Sequence, residues 1–141
     1  MRIALDERLR LAHRHQKGAS MADAGIFIAW GTPVHGREKK AAALFRDAVE
    51  VWTKLERAGE IESFEVVSLD PHAGKLNDFF LLRGDRDQLA RLRVSDGFVA
   101  LADRANAVLW DFRVVGARTG DAAWGKIKKF EETANEGADW G

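Results

Sequence analysis

The sequence predicts an α+β domain, in which a mainly antiparallel sheet is backed by helices. Three observations carry that prediction. Compact apolar runs stand at Gly25–Gly31 and Phe79–Arg83. A stripe of apolar residues at three- and four-residue spacing runs through Arg37–Ala58. Clusters of turn formers at Thr32–Gly36 and Asp70–Asp78 separate them. Unbroken or alternating apolar runs of this length read as strands, and a 3.6-residue period reads as helix.

The first strand is GIFIAWG, Gly25–Gly31. It is apolar on both parities, as a strand buried on both faces should be. TPVHG then turns the chain. In the following helix, Ala41, Leu44, Phe45, Ala48, Val51, Trp52 and Leu55 share one face over about six turns. Glu50 and Lys54 form an i,i+4 pair in the favourable order, and Gly59 suits a left-handed C-cap.

Ile61–Leu69 is β-rich, and Asp70–Asp78 is a loop that is long for a hairpin. Phe79–Arg83 is the returning strand. Asp85 and Ser95 are N-cap residues, so Asp85–Ala107 is expected to be helical with a break near Val94–Gly97. Ala107–Ala117 is expected as the last strand, with Val108, Trp110, Phe112 and Val114 on one face. Leu109, Asp111, Arg113 and Val115 would share the other. A final helix starts near Asp121, with Ala123, Ile127, Phe130 and Ala134 as its stripe. The polar tail NEGADWG is expected to fray.

Composition bounds the function. A chain of 141 residues fits one domain able to bury a core without metals or disulfides. Lys plus Arg and Asp plus Glu both number 22, so the basic excess of a general nucleic-acid binder is missing and no nucleic-acid partner is expected. The absence of cysteine excludes disulfide scaffolds, thiolate metal sites and cysteine nucleophiles, and fits a cytoplasmic setting. The absence of tyrosine excludes tyrosine acids and tyrosyl radicals. No run of about 18 apolar residues is present, so no membrane-spanning helix and no membrane partner are expected.

Residues 1–20 are basic, and charges interrupt every apolar stretch, which excludes a secretory signal. They read as a mobile N-terminal extension ahead of a single domain at 21–141, with Met21 placed like a start. A short amphipathic helix through Ile3, Leu5, Leu9 and Leu11 is the rival reading. His13 and His15 would face one way on a strand, but no third ligand stands nearby and no metal is expected.

From Gly25 onward the order is strand, helix, strand, strand, helix, strand, with a helix appended. This is the split βαβ arrangement, or ferredoxin-like βαββαβ order. Helices on one face of an antiparallel sheet leave the other face wet and polar. These strands are apolar on both faces, so a second copy of the chain is the expected cover. In element order, strand apolarity and size, Gly25–Ala117 resembles the dimeric α+β barrel superfamily. That group includes small antibiotic-biosynthesis-type monooxygenases and stress-response barrels. The resemblance implies a homodimer with a cavity between sheet and helices. It carries no residue-by-residue motif.

The candidate residues follow from chemistry and position. Gly31-x4-Gly36 lacks the Lys-Ser/Thr that a phosphate loop needs after its second glycine. His35, just before the long helix, could act as a base near neutral pH or be a solvated turn residue. Asp70 and His72 could form an acid–base pair, or Asp70 could organise the turn. Asp111 and Arg113 interrupt an apolar strand, where unpaired charge is costly. They could pair, line a cavity, cross an interface or simply be exposed on an edge strand, with Glu65 and Arg83 as similar intrusions. Trp30, Trp52 and Trp110 could line a pocket for a flat ligand; Trp52, on the helical stripe, reads as packing, and Trp30 and Trp110 suit either role.

Three functions stay open. First is a homodimeric barrel binding a small organic ligand through Trp30, Trp110 and Arg113. Second is a cofactor-independent oxygenase or isomerase with His35, His72, Asp70 or Asp111 handling protons. Third is a protein-interaction module. No cofactor is expected.

Overall fold

The computed structural model describes residues 22–138. The N-terminal extension expected at 1–20, with its His13 and His15, lies outside the described residues, as do residues 139–141. The order is β1 (Ala24–Trp30), α1 (Glu38–Arg57), β2 (Ser63–Ser68), β3 (Asp78–Gly84), α2 (Arg86–Arg93), α3 (Asp96–Val108), β4 (Arg113–Arg118) and α4 (Gly120–Ala138). The strands form one sheet in the order β2-β3-β1-β4, and every neighbouring pair is antiparallel. Among the described residues no helix is long and apolar enough to cross a membrane.

Side chains alternate across the sheet. Ile26, Ile28 and Trp30 of β1 and Phe80 and Leu82 of β3 form the core with Ala48 and Trp52 of α1, Leu89 of α2 and Phe98 of α3. Full burial of one such large apolar side chain contributes about 1.5–3 kcal/mol. The opposite parity builds a second apolar surface. Phe27 stands opposite Leu81 on one side and Val115 on the other, and Phe79 stands opposite Val67. The Phe27 and Phe79 rings lie 4.8 Å apart. Phe27, Phe79, Leu81 and Val67 are only half-buried, and Val115 is 47% exposed. Arg83 and Glu65 pair at 3.0 Å on this same face.

Local signals set the helix ends. Asp85 accepts from the Asp87 N–H at 3.1 Å while the Gln88 side chain accepts from the Asp85 N–H at 3.4 Å, a reciprocal cap. Ser95 Oγ accepts from the Phe98 N–H at 3.3 Å and starts α3 after the expected break. Gly59 takes φ 73° after α1, where a Cβ would be strained. At the other end, α4 runs to Ala138, and the remainder of the tail expected to fray, residues 139–141, lies outside the described residues.

One expected element is corrected. Ala107–Ala117 is not a continuous strand. Helix α3 continues to Val108, because Ala105 and Val108 pack against Ala41 and Leu44 of α1. Leu109 then makes an isolated antiparallel bridge with Pro33. Asp111 follows in the left-handed region at φ 56°, which turns the chain before β4 begins at Arg113. Aspartate is among the few residues that enter this region at modest cost. The expected alternation therefore fails at its centre: Trp110 is 59% exposed, while Phe112 and Val114 pack on the core.

Candidate functional site

Between the helix-bearing sheet face and helices α1 and α3 lies a cavity of about 290 Å³. Its size sits at the lower end of the roughly 300–1,000 Å³ common for small-molecule sites. Sequence explains the space. Ala41, Ala42 and Ala48 on α1 and Ala102 and Ala105 on α3 all belong to the lining, and their short side chains leave room beside the sheet aromatics.

Aromatic rings make the walls. Phe80 is central, 5.0 Å from Trp30, 5.4 Å and stacked on Phe45, and 6.0 Å from Trp52. Trp52 also reaches Phe98 at 5.9 Å. Trp52 is 2% exposed, and its Nε1 has no hydrogen-bond partner among the described residues.

The polar groups gather at the rim. Glu38, Asn77 and Asp78 belong to the lining. Asp78 Oδ1 accepts from Ser68 Oγ at 2.6 Å, and Glu38 Oε1 accepts from the Gly36 N–H at 3.1 Å. A short ladder closes this end. Gly31 N–H donates to the Trp110 carbonyl at 2.8 Å, Trp110 N–H to that of Thr32 at 2.9 Å, and Asn77 N–H to that of Trp30 at 2.9 Å. A Cβ on Gly31 would stand 2.8 Å from the Lys75 carbonyl oxygen, so only glycine allows the loop this close.

Of the sequence candidates, Trp30 lines the cavity, and His35, Asp70, His72, Trp110, Asp111 and Arg113 stand outside its wall. His35 is fully exposed, with Nδ1 3.8 Å from Glu38 Oε1, so it neighbours the rim through that carboxylate. His72 is occupied within its own loop. Its Nε2 donates to the Leu76 carbonyl at 2.6 Å, and its Nδ1 accepts from the Gly74 N–H at 2.9 Å. Asp70 is exposed in the same loop. Arg113 Nε donates to the backbone carbonyl of Asp111 at 3.3 Å. The Asp111 carboxylate lies against Gly31 rather than along a strand. The sequence reading put Trp52 in the core, where it packs and also lines the cavity, and missed Phe45, Phe98 and Glu38 as lining residues. The signal available was the alanine pairing on α1 and α3 around a lone tryptophan.

A wider groove of about 880 Å³ runs between α2, the β1–β4 edge and α4. Its wall carries Arg86, Arg93, Arg118, Lys126 and Lys129 and no aromatic ring, so it lacks the build of an organic-ligand site.

The strand order β2-β3-β1-β4, with both helical crossovers on one face, decides the architecture. The fold is ferredoxin-like. Solved structures agree. A hydroxynitrile lyase from Passiflora edulis is 10% identical with a TM-score of 0.55, over 71% of this chain and 96% of that one. A dabb family protein with a ferredoxin-like fold from Mesorhizobium loti is 14% identical with a TM-score of 0.53, over 67% and 95%. A dimeric protein of ferredoxin-like fold and unknown function from Bacteroides fragilis is 11% identical with a TM-score of 0.51, over 68% and 95%. No family model and no curated protein matches the chain. Within this ferredoxin-like frame the cavity lies between the sheet and helices α1 and α3.

Proposed function

We propose that the chain forms a homodimer in which each subunit holds a small, flat organic molecule in the cavity between sheet and helices. The observation that carries this reading is the hollow of about 290 Å³ walled by Trp30, Phe45, Trp52, Phe80 and Phe98. Sites of this kind combine an apolar wall with a few placed polar groups, here Glu38, Asn77 and Asp78 at the rim. The dimer rests on the outer sheet face, where Phe27, Phe79, Leu81 and Val67 remain half-buried. An apolar surface of this kind is covered in a stable protein by a partner. The Bacteroides fragilis neighbour is described as dimeric. Native mass spectrometry on freshly purified protein is the test. A dimer carrying added small-molecule mass is expected, and a bare monomer overturns the proposal.

A second reading is a cofactor-independent enzyme. It draws on Glu38 at the cavity rim with His35 Nδ1 3.8 Å from its Oε1, a carboxylate and an imidazole side by side at the mouth. The Passiflora edulis neighbour is a hydroxynitrile lyase, so this fold accommodates catalysis. Turnover of an aromatic hydroxynitrile that disappears in Glu38→Gln would favour this reading. No turnover by the unaltered protein removes the lyase form of it.

A further inference from the structure

The cavity is one-sided in charge. Glu38 and Asp78 belong to its lining, and among the described residues no lysine, arginine or histidine does. In a chain with 22 acidic and 22 basic residues, that is a local bias. The backbone puts both carboxylates on the cavity side. Asp78 stands opposite Trp30 and two places before Phe80, so it shares their face of the sheet. Glu38 opens α1 one turn before Ala41 and two turns before Phe45, so it continues the helix stripe that lines the hollow. Each carboxylate has one oxygen held by a neutral donor, Asp78 Oδ1 by Ser68 Oγ at 2.6 Å and Glu38 Oε1 by the Gly36 N–H at 3.1 Å. Neither pairs with a lysine or arginine among the described residues. A third carboxylate, that of Asp111, lies behind Gly31 of the rim, and the nearby Arg113 Nε is turned to the Asp111 backbone carbonyl instead.

We infer that the cavity takes a cationic ligand, an aromatic amine whose ring enters the hollow while its ammonium group stays at the mouth beside Glu38 and Asp78. This rests on the cavity reading proposed above and names its ligand class. Trp30, Phe45 and Phe80 favour the ring through burial and ring contact. An ammonium group at the mouth keeps part of its water and so escapes the cost of full burial. Each partly exposed carboxylate attracts it modestly. The same two groups repel an anion of equal outline, so the sign of charge selects among ligands of one size. Glu38 and Asp78 are thus specificity-determining residues.

Benzylamine, benzyl alcohol and benzoate test this. They share a ring, and at mildly alkaline pH they are a cation, a neutral molecule and an anion. Their dissociation constants are measured by NMR titration of the full chain, read on the indole signal of Trp30, which lines the cavity. Benzylamine is expected to bind about threefold to tenfold more tightly than benzyl alcohol, with benzoate weakest. In the double variant Glu38→Gln, Asp78→Asn, which keeps shape and removes charge, the preference should fall to near parity. Benzylamine binding no tighter than benzyl alcohol, or a preference that survives in the double variant, overturns the inference and leaves the cavity reading standing. Failure of all three to bind the unaltered protein overturns both. Should the double variant not fold, salt decides on the unaltered protein. A preference that shrinks in about 0.5 M sodium chloride supports the inference, and one that salt leaves unchanged rejects it.

Discussion

Trp52 combines two demands that are usually kept apart, dense packing and an unanswered polar group. Truncating it to alanine removes the ring that joins Phe80 to Phe98, and a loss of about 3–5 kcal/mol is expected by urea denaturation. Trp52→Phe should stay within about 1 kcal/mol of the unaltered protein, because losing the unmet N–H offsets part of the lost packing. The contrast between the two variants separates bulk from polarity at one position. Little of this was legible beforehand. The helical stripe correctly put Trp52 inside, but spacing says nothing of whether its nitrogen finds an acceptor. The loop candidates had the opposite difficulty. His35, Asp70 and His72 were recognisable as chemically able, yet which loops border a cavity is a three-dimensional matter. His72 in particular spends both ring nitrogens on its own loop.

The helices and central strands were readable because each carries its own signal. The α1 stripe, the Asp85 and Ser95 caps and the apolar β1 and β3 runs need only local physics. The last strand was misplaced because Val108, Trp110, Phe112 and Val114 alternate as a strand would. Three nonlocal facts override that alternation: α3 continues against α1, Leu109 bridges Pro33, and Asp111 turns left-handed. That bridge, the β1 terminus and the β2–β3 loop all meet at Gly31. A methyl group there would press on the Lys75 carbonyl at 2.8 Å. Gly31→Ala should therefore cost about 1–3 kcal/mol, the usual penalty of overpacking. Its amide-exchange protection should fall first in residues 70–78 and 108–111. Equal loosening across the whole sheet would argue against a local junction.

At the scale of the molecule, element order and strand apolarity sufficed for the ferredoxin-like frame, since strand pairing follows from that order once helices take one face. The outer face makes the assembly testable. Leu81 lies at its centre, opposite Phe27 on β1 and Glu65 on β2. A lysine there is tolerated on a wet sheet and excluded from an apolar interface. Leu81→Lys is expected to convert the proposed dimer to a folded monomer at micromolar concentration, read by light scattering with circular dichroism as the check on folding. A dimer that persists would place the contact elsewhere.

The alanines that line the hollow on α1 and α3 have one more implication. Five of the hollow's lining positions, on the two helices, carry no more than a methyl group. Its calibre is thus adjustable one carbon at a time from either helix, at Ala48 or at Ala105, while the sheet and its pairing stay as they are. A scaffold of this type can change the girth of what it carries without relearning how to fold.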